Sequence, residues 1–133
     1  MIVPHVSLLF AGLLALLQTL LTALVIMRRK QTGVILLDNG DPLLIRRMRA
    51  HGNFVETVPI ALLLLTLLEF NGLAAVWLAA FGVLLIAGRV LHAYGLISEK
   101  AHRARLAGMC MTLFVISVEG AVAVGLSVSS ATR

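Results

Sequence analysis

Cysteine is nearly absent from this chain of 133 residues: Cys110 stands alone. One thiol excludes an internal disulfide framework and a four-cysteine metal site. It also excludes the paired-cysteine chemistry of a disulfide-forming quinone reductase. Charge is scarce as well, at 13% of residues against 60% hydrophobic. Ordinary soluble domains carry about 25% charged residues, so this composition belongs to a protein integral to a bilayer. No His, Cys or carboxylate cluster has metal-ligand spacing, and no metal is expected. The first hydrophobic segment holds no acidic residue, which excludes the small multidrug exporters, whose chemistry needs one there. His51 and His92 supply one membrane depth only, where a diheme cytochrome needs histidine pairs at two. The net charge of +5 is concentrated by topology, so no nucleic-acid partner is expected. Neither an internal repeat nor a low-complexity linker divides the chain, and residues 1–133 read as one domain.

What is present is hydrophobic length. Four segments pass the test of ~20 residues for a spanning helix, at about 3–27, 47–69, 73–94 and 106–128. The first is not a cleavable signal peptide. No basic residue precedes it, its apolar stretch is too long, and Arg28-Arg29-Lys30 follows it like a stop signal. Arg28, Arg29, Lys30, Arg46, Arg47 and Arg49 gather in one connection, and Lys100, Arg103 and Arg105 in another, with Arg89 at the end of the helix before it. The turn at Glu69-Phe70-Asn71-Gly72 and the N-terminal tail have no basic residue. The positive-inside rule then makes loops 28–46 and 95–105 cytoplasmic and both termini non-cytoplasmic. Asp38-Asn39-Gly40-Asp41-Pro42 is turn chemistry, and Asn71-Gly72 is a tight link that makes the second and third helices antiparallel neighbours. Pro59, inside the second helix, predicts a kink.

The second segment is not uniformly apolar. Arg49, Asn53 and Glu56 recur at i, i+4 and i+7 and share one helix face. An ionisable stripe inside a membrane is costly and is retained where it faces a protein or water-filled interior. Cation, amide and anion in a row suit a small polar ligand carrying both charge signs. A second polar cluster lies at the same end: Arg89 and His92 at i and i+3 on the third helix, Tyr94 close behind, and Arg105 opening the fourth. The remaining basic residues at helix ends read as snorkelling side chains at an anionic headgroup layer.

Other residues have plainer readings. Gly88 with Ala74, Ala75, Ala79, Ala80 and Gly82 on the third helix, and Gly108, Gly120, Ala121, Ala123 and Gly125 on the fourth, are packing faces of small residues. Gln18, Thr19 and Thr22 are expected to bond between helices. Cys110 reads as an inert buried thiol. Glu119, about 21 Å along the axis from Arg105, is expected to be hydrogen-bonded or near the far interface. His51 reads as packing, and His5 and His102 carry no signal.

The run Arg49-Ala50-His51-Gly52-Asn53-Phe54-Val55-Glu56 resembles the second-helix signature Arg-x-x-x-Asn-x-x-Glu of the MAPEG superfamily, the membrane-associated proteins in eicosanoid and glutathione metabolism. Gly88-Arg89-Val90-Leu91-His92-Ala93-Tyr94-Gly95 is similar to the exit of the third helix in bacterial members. Arg105-Leu106-Ala107-Gly108-Met109-Cys110-Met111-Thr112 is similar to the start of their fourth. The resemblance covers nearly the whole chain and is nearest to the short bacterial subgroup related to microsomal glutathione S-transferase. It implies an all-α integral membrane fold, four transmembrane helices per subunit in a left-handed bundle, and a homotrimer in a bacterial inner membrane. It implies glutathione as co-substrate, bound between subunits near the cytoplasmic face by Arg49, Asn53 and Glu56 with Arg89, His92 and Tyr94. Arg105 would hold the thiol as thiolate toward a lipophilic electrophile or lipid hydroperoxide. The same fold also serves non-catalytic glutathione- or lipid-binding proteins. Leu96 stands where eicosanoid-synthesising members carry a tyrosine, and Leu106 follows Arg105, so an eicosanoid synthase is not expected.

Overall fold

The structure is a computed structural model that describes residues 3–98 and 101–131. Its helices are α1 (His5–Thr32), α2 (Pro42–Phe70), α3 (Ala75–Ile97) and α4 (His102–Ala131), and the described residues form no strand. All four are long and apolar enough to cross a membrane. At ~1.5 Å rise per residue each exceeds the ~30 Å hydrocarbon thickness. That is why the helices overrun the apolar segments read from the sequence: hydrogen bonding continues into the interface after hydrophobicity stops. The chain is an integral membrane protein of four helices. Consecutive helices pack side by side, α2 and α3 form the middle of the bundle, and α1 and α4 flank it with no close backbone approach to each other among the described residues.

The start of α2 illustrates the difference. Its apolar run begins at about residue 47, yet the helix opens at Pro42 because Asp41-Pro42 is a start signal. The Asp41 carboxylate accepts from the Leu44 backbone N–H at 2.6 Å and also binds Arg28 of α1 at 2.7 Å. One side chain thus caps α2 and joins it to α1. The Arg28 guanidinium, and after it the Leu44 N–H, hold the Asp41 carboxyl below its ordinary range. A carboxyl depressed in the folded state adds stability above its unfolded pKa of about 3.9 and loses it as pH falls through the lower folded value. Asp41→Asn, which keeps an acceptor but no charge, is therefore expected to have a melting temperature that changes less on acidification below about pH 4 than the wild type. Thermal melts across pH in detergent check this; parallel acid limbs would remove Asp41 from the account.

The α2–α3 link closes as the sequence suggested. Gly72 adopts a left-handed φ of 78°, the Gly72 N–H reaches the Glu69 carbonyl at 3.0 Å and the Leu73 N–H reaches that of Leu68 at 3.0 Å. This Schellman arrangement satisfies two terminal carbonyls and needs a residue free of Cβ strain at Gly72. Glu69 closes the other side of that end. Its carboxylate accepts from the backbone N–H groups of Val6 at 2.9 Å and Ser7 at 2.7 Å, and from the Ser7 hydroxyl. Orphan donors at the start of α1 are thereby satisfied by the last turn of α2. α2 runs as one unbroken helix through Pro59.

Burial follows helical periodicity. Ala50, Phe54, Val58, Ala61, Leu65 and Leu68 form one stripe of α2, and Gly108, Thr112, Val115 and Glu119 form one of α4. Other expectations change on this frame. The Thr19 and Thr22 hydroxyls bond to carbonyls of Ala15 and Gln18 one turn back in α1, both at 2.9 Å, not to another helix. Cys110 is exposed, because it lies off the buried stripe of α4. Glu119 is neither hydrogen-bonded nor near an end: it is fully buried, and neither carboxylate oxygen has a partner among the described residues. A Cβ added at Gly120 or Gly125 would meet nothing within 4 Å, so these two do not bring helices together inside the subunit.

Candidate functional site

The site forms where α3 and α4 come closest at the basic end of the bundle. A Cβ on Gly108 would collide with the Gly88 carbonyl and the His92 backbone, and one on Gly95 with the backbone of Arg105. The glycines therefore seat the first turns of α4 directly on the last turns of α3. His92 completes the seat: its Nδ1 lies 3.1 Å from the Arg105 carbonyl oxygen. A carbonyl only accepts, so Nδ1 carries the hydrogen. Arg105 thus has its backbone held by Gly95 and His92 while its side chain remains exposed.

That side chain lines a cavity of about 290 Å³ between α2, α3 and α4. Arg49 and Asn53 come from α2, His92 from α3, and His102 and Arg105 from the first turn of α4. Leu96, Leu106 and Met109 supply apolar wall. Two guanidinium groups and the N-terminal end of α4 give this space a positive potential, and no carboxylate is among its lining residues. Asn53 contributes to the wall of this space, while its Oδ1 is turned into the protein with no hydrogen-bond partner among the described residues. A smaller space of about 260 Å³, bordered by Arg46, Gly95 and Ser98, shares Leu96, His102 and Arg105 with it.

The residues anticipated from sequence divide into three groups. Arg49, Asn53, His92 and Arg105 meet at the cavity. Arg89 does not reach it: the side chain is fully buried, with its guanidinium carbon 5.8 Å from the centre of the Phe54 ring and Nε and Nη1 unpartnered. Its cation faces the ring of Phe54, the residue after Asn53 in α2. Tyr94 lies outside the cavity, 60% exposed on a different face of α3, because two residues along a helix turn the side chain by about 200° from His92.

Glu56 is also outside the lining, on the exposed face of α2. It is the middle residue of α2, roughly 21 Å from either end at ~1.5 Å per residue. A carboxylate exposed at that depth cannot face hydrocarbon without a cost of about 2.5–3.5 kcal/mol or more. The stripe that borders the cavity therefore continues onto a surface that needs a protein or aqueous neighbour.

Two contributors were missed in the sequence. His102 lines both spaces; its signal was the i, i+3 spacing to Arg105 on one face of a helix start. Gly95 positions Arg105, which only the α3–α4 contact reveals. Gly95→Ala is expected to force the two helices apart and to lower stability by about 1–3 kcal/mol, as overpacking does. Thermal unfolding in detergent measures it, and an unchanged melt would show that the seat can relax.

Comparisons with known proteins agree with this architecture. The MAPEG family model matches residues 7–125. The inner membrane protein YecN of Escherichia coli strain K12 is 40% identical over 108 residues, covering 80% of this chain and 81% of its own length. The protein of the same name from the Escherichia coli O6:H1 strain CFT073 matches to the same extent. With the family match running through all four helices, the chain belongs to the MAPEG family.

Proposed function

We propose that the protein is a glutathione-dependent transferase or peroxidase of a bacterial inner membrane. It binds glutathione between subunits of a homotrimer and activates the thiol toward a lipophilic second substrate. The observation that carries this reading is the convergence of Arg49, Asn53 and Arg105 on one cavity. Glutathione at neutral pH has two carboxylates, one ammonium and one thiol. Arg49 pairs with a carboxylate, and Asn53 offers an amide that can donate and accept. Glu56 takes the ammonium from the edge of the subunit. Arg105 stabilises the thiolate: a free thiol has a pKa of about 8.5, and lowering it by ~2 units needs about 2.7 kcal/mol. The thiol proton leaves to solvent. The sulfur then bonds to the electrophilic carbon as the leaving group departs with its electron pair.

Two features support assembly. The cavity, about 290 Å³, is at the lower edge of the ~300–1,000 Å³ usual for ligand sites, and Glu56 continues the stripe beyond it. A neighbouring copy would both enclose the ligand and cover that carboxylate. The distribution of Lys and Arg supports a cytoplasmic basic end, with both termini on the opposite side.

The test is an ultraviolet difference spectrum for the glutathione thiolate, recorded on the protein in mild detergent, beside native mass spectrometry of the same sample. A thiolate band and a trimer are expected. Monomers or dimers alone would overturn the assembly. Binding without a thiolate band and without turnover would leave a glutathione-binding protein rather than an enzyme.

A further inference from the structure

The segment between α1 and α2 carries Val34-Ile35-Leu36-Leu37, four apolar residues in succession outside any helix. Connecting loops over water are normally polar. Here Ile35, Leu36 and Leu37 are 88%, 80% and 79% exposed, above every other exposed large hydrophobic residue described, including those on the outer faces of the spanning helices. Nothing inside the subunit covers them.

The loop is held in this shape. The Arg29 Nη1 donates to the Ile35 carbonyl at 3.0 Å and lies 3.5 Å from that of Val34, which satisfies the backbone and leaves the apolar side chains outward. Leu37 has a φ of 57°, a left-handed conformation that a branched side chain rarely adopts. Directly after it, the Asp38 carboxylate accepts from the Gly40 N–H at 2.9 Å and turns the polar residues back toward α2. Strain at Leu37 is thus maintained to point a large apolar side chain away from the protein.

Depth follows from the same contacts. Arg29 belongs to the last turn of α1, and its grip on Ile35 keeps the loop beside that turn instead of beyond it. The Arg47 guanidinium reaches back to the Leu24 carbonyl at 2.7 Å. The apolar tip therefore stays close to Arg28, Arg29, Lys30, Arg46 and Arg47 at the basic end of the bundle. Asp41 offsets one of these charges through Arg28 and Asp38 adds a second carboxylate beside the tip, so five cations against two anions leave this collar positive. Exposed aliphatic side chains bordered by cations at the membrane boundary match the chemistry of an anionic phospholipid layer.

We propose that Ile35-Leu36-Leu37 is an insertion tip that enters the leaflet at the basic end of the bundle, with the surrounding cations on anionic headgroups. It pins the α1–α2 link, and so the start of the stripe-bearing α2, at a fixed depth. A second copy of the chain is the rival occupant, and a solvent-facing loop is the other.

Tryptophan fluorescence separates these. The chain has one tryptophan, Trp77, near the opposite end. The full-length Trp77→Phe, Leu36→Trp protein is reconstituted in vesicles of phosphatidylcholine with phosphatidylglycerol, with and without lipids brominated high on the acyl chain. The expected result is blue-shifted emission that loses most of its intensity with the brominated lipids, with quenching that strengthens as the phosphatidylglycerol fraction rises. Water-like emission insensitive to bromine would overturn the proposal in favour of a solvated loop. Blue-shifted emission without bromine quenching would overturn it in favour of a protein partner. Asn39→Trp, on the polar side of the same loop, keeps the assay interpretable: it is expected to remain water-like.

Discussion

Arg49→Ala is expected to weaken glutathione binding by about 2–4 kcal/mol, which is roughly 30- to 700-fold in Kd. Arg49 is the one cation that α2 contributes to the cavity. Its removal takes away one of the two guanidinium groups that line the cavity and leaves the ligand carboxylate without its partner, which is costly. It also leaves Glu56 as the sole charge on the stripe. Arg49→Lys should recover only part of the loss, because an ammonium cannot reproduce the two parallel bonds of a guanidinium. Titration calorimetry in detergent measures both variants. Equal affinity in wild type and Arg49→Ala would remove the stripe from the binding site.

Arg105→Ala should act differently. Glutathione binding is expected to persist, while the thiolate signal disappears and turnover with a generic electrophile such as chlorodinitrobenzene falls at least ~10-fold, or about 1.4 kcal/mol. An activating group acts on the reacting state more than on ground-state affinity. The backbone of Arg105 is fixed by contacts that the variant retains, the Gly95 seat and the His92 hydrogen bond. A loss of rate would therefore belong to the guanidinium and not to a displaced helix. Unchanged turnover in Arg105→Ala would move the chemistry elsewhere in the site.

Much of this was legible in the sequence because membrane constraints are simple. A bilayer requires every backbone polar group of a spanning segment to be satisfied locally, so long apolar runs become helices. The existence of all four helices and the turn at Gly72 followed directly. So did the shared face of Arg49 and Asn53, since 3.6-residue periodicity is a property of one helix alone. Helix ends were less legible. Hydropathy marks where the hydrocarbon stops, whereas Asp41 capping and Schellman bonds mark where the helix stops.

What periodicity within one helix cannot supply is the rotation of each helix about its own axis and the partner across each contact. Tertiary packing decided that Arg89 lies beneath Phe54 and that Tyr94 turns away from the cavity. It decided that Glu119 is enclosed without a partner among the described residues and that Cys110 is exposed. It also decided that His102 joins the site, and that Gly95 and His92 seat Arg105. The sequence by itself determined a four-helix integral membrane protein with an ionisable stripe, because solvent and local hydrogen bonding dictate those features. The tertiary structure alone determined which polar side chains converge, because close approach of α3 on α4 depends on shape at glycine contacts that no single segment encodes.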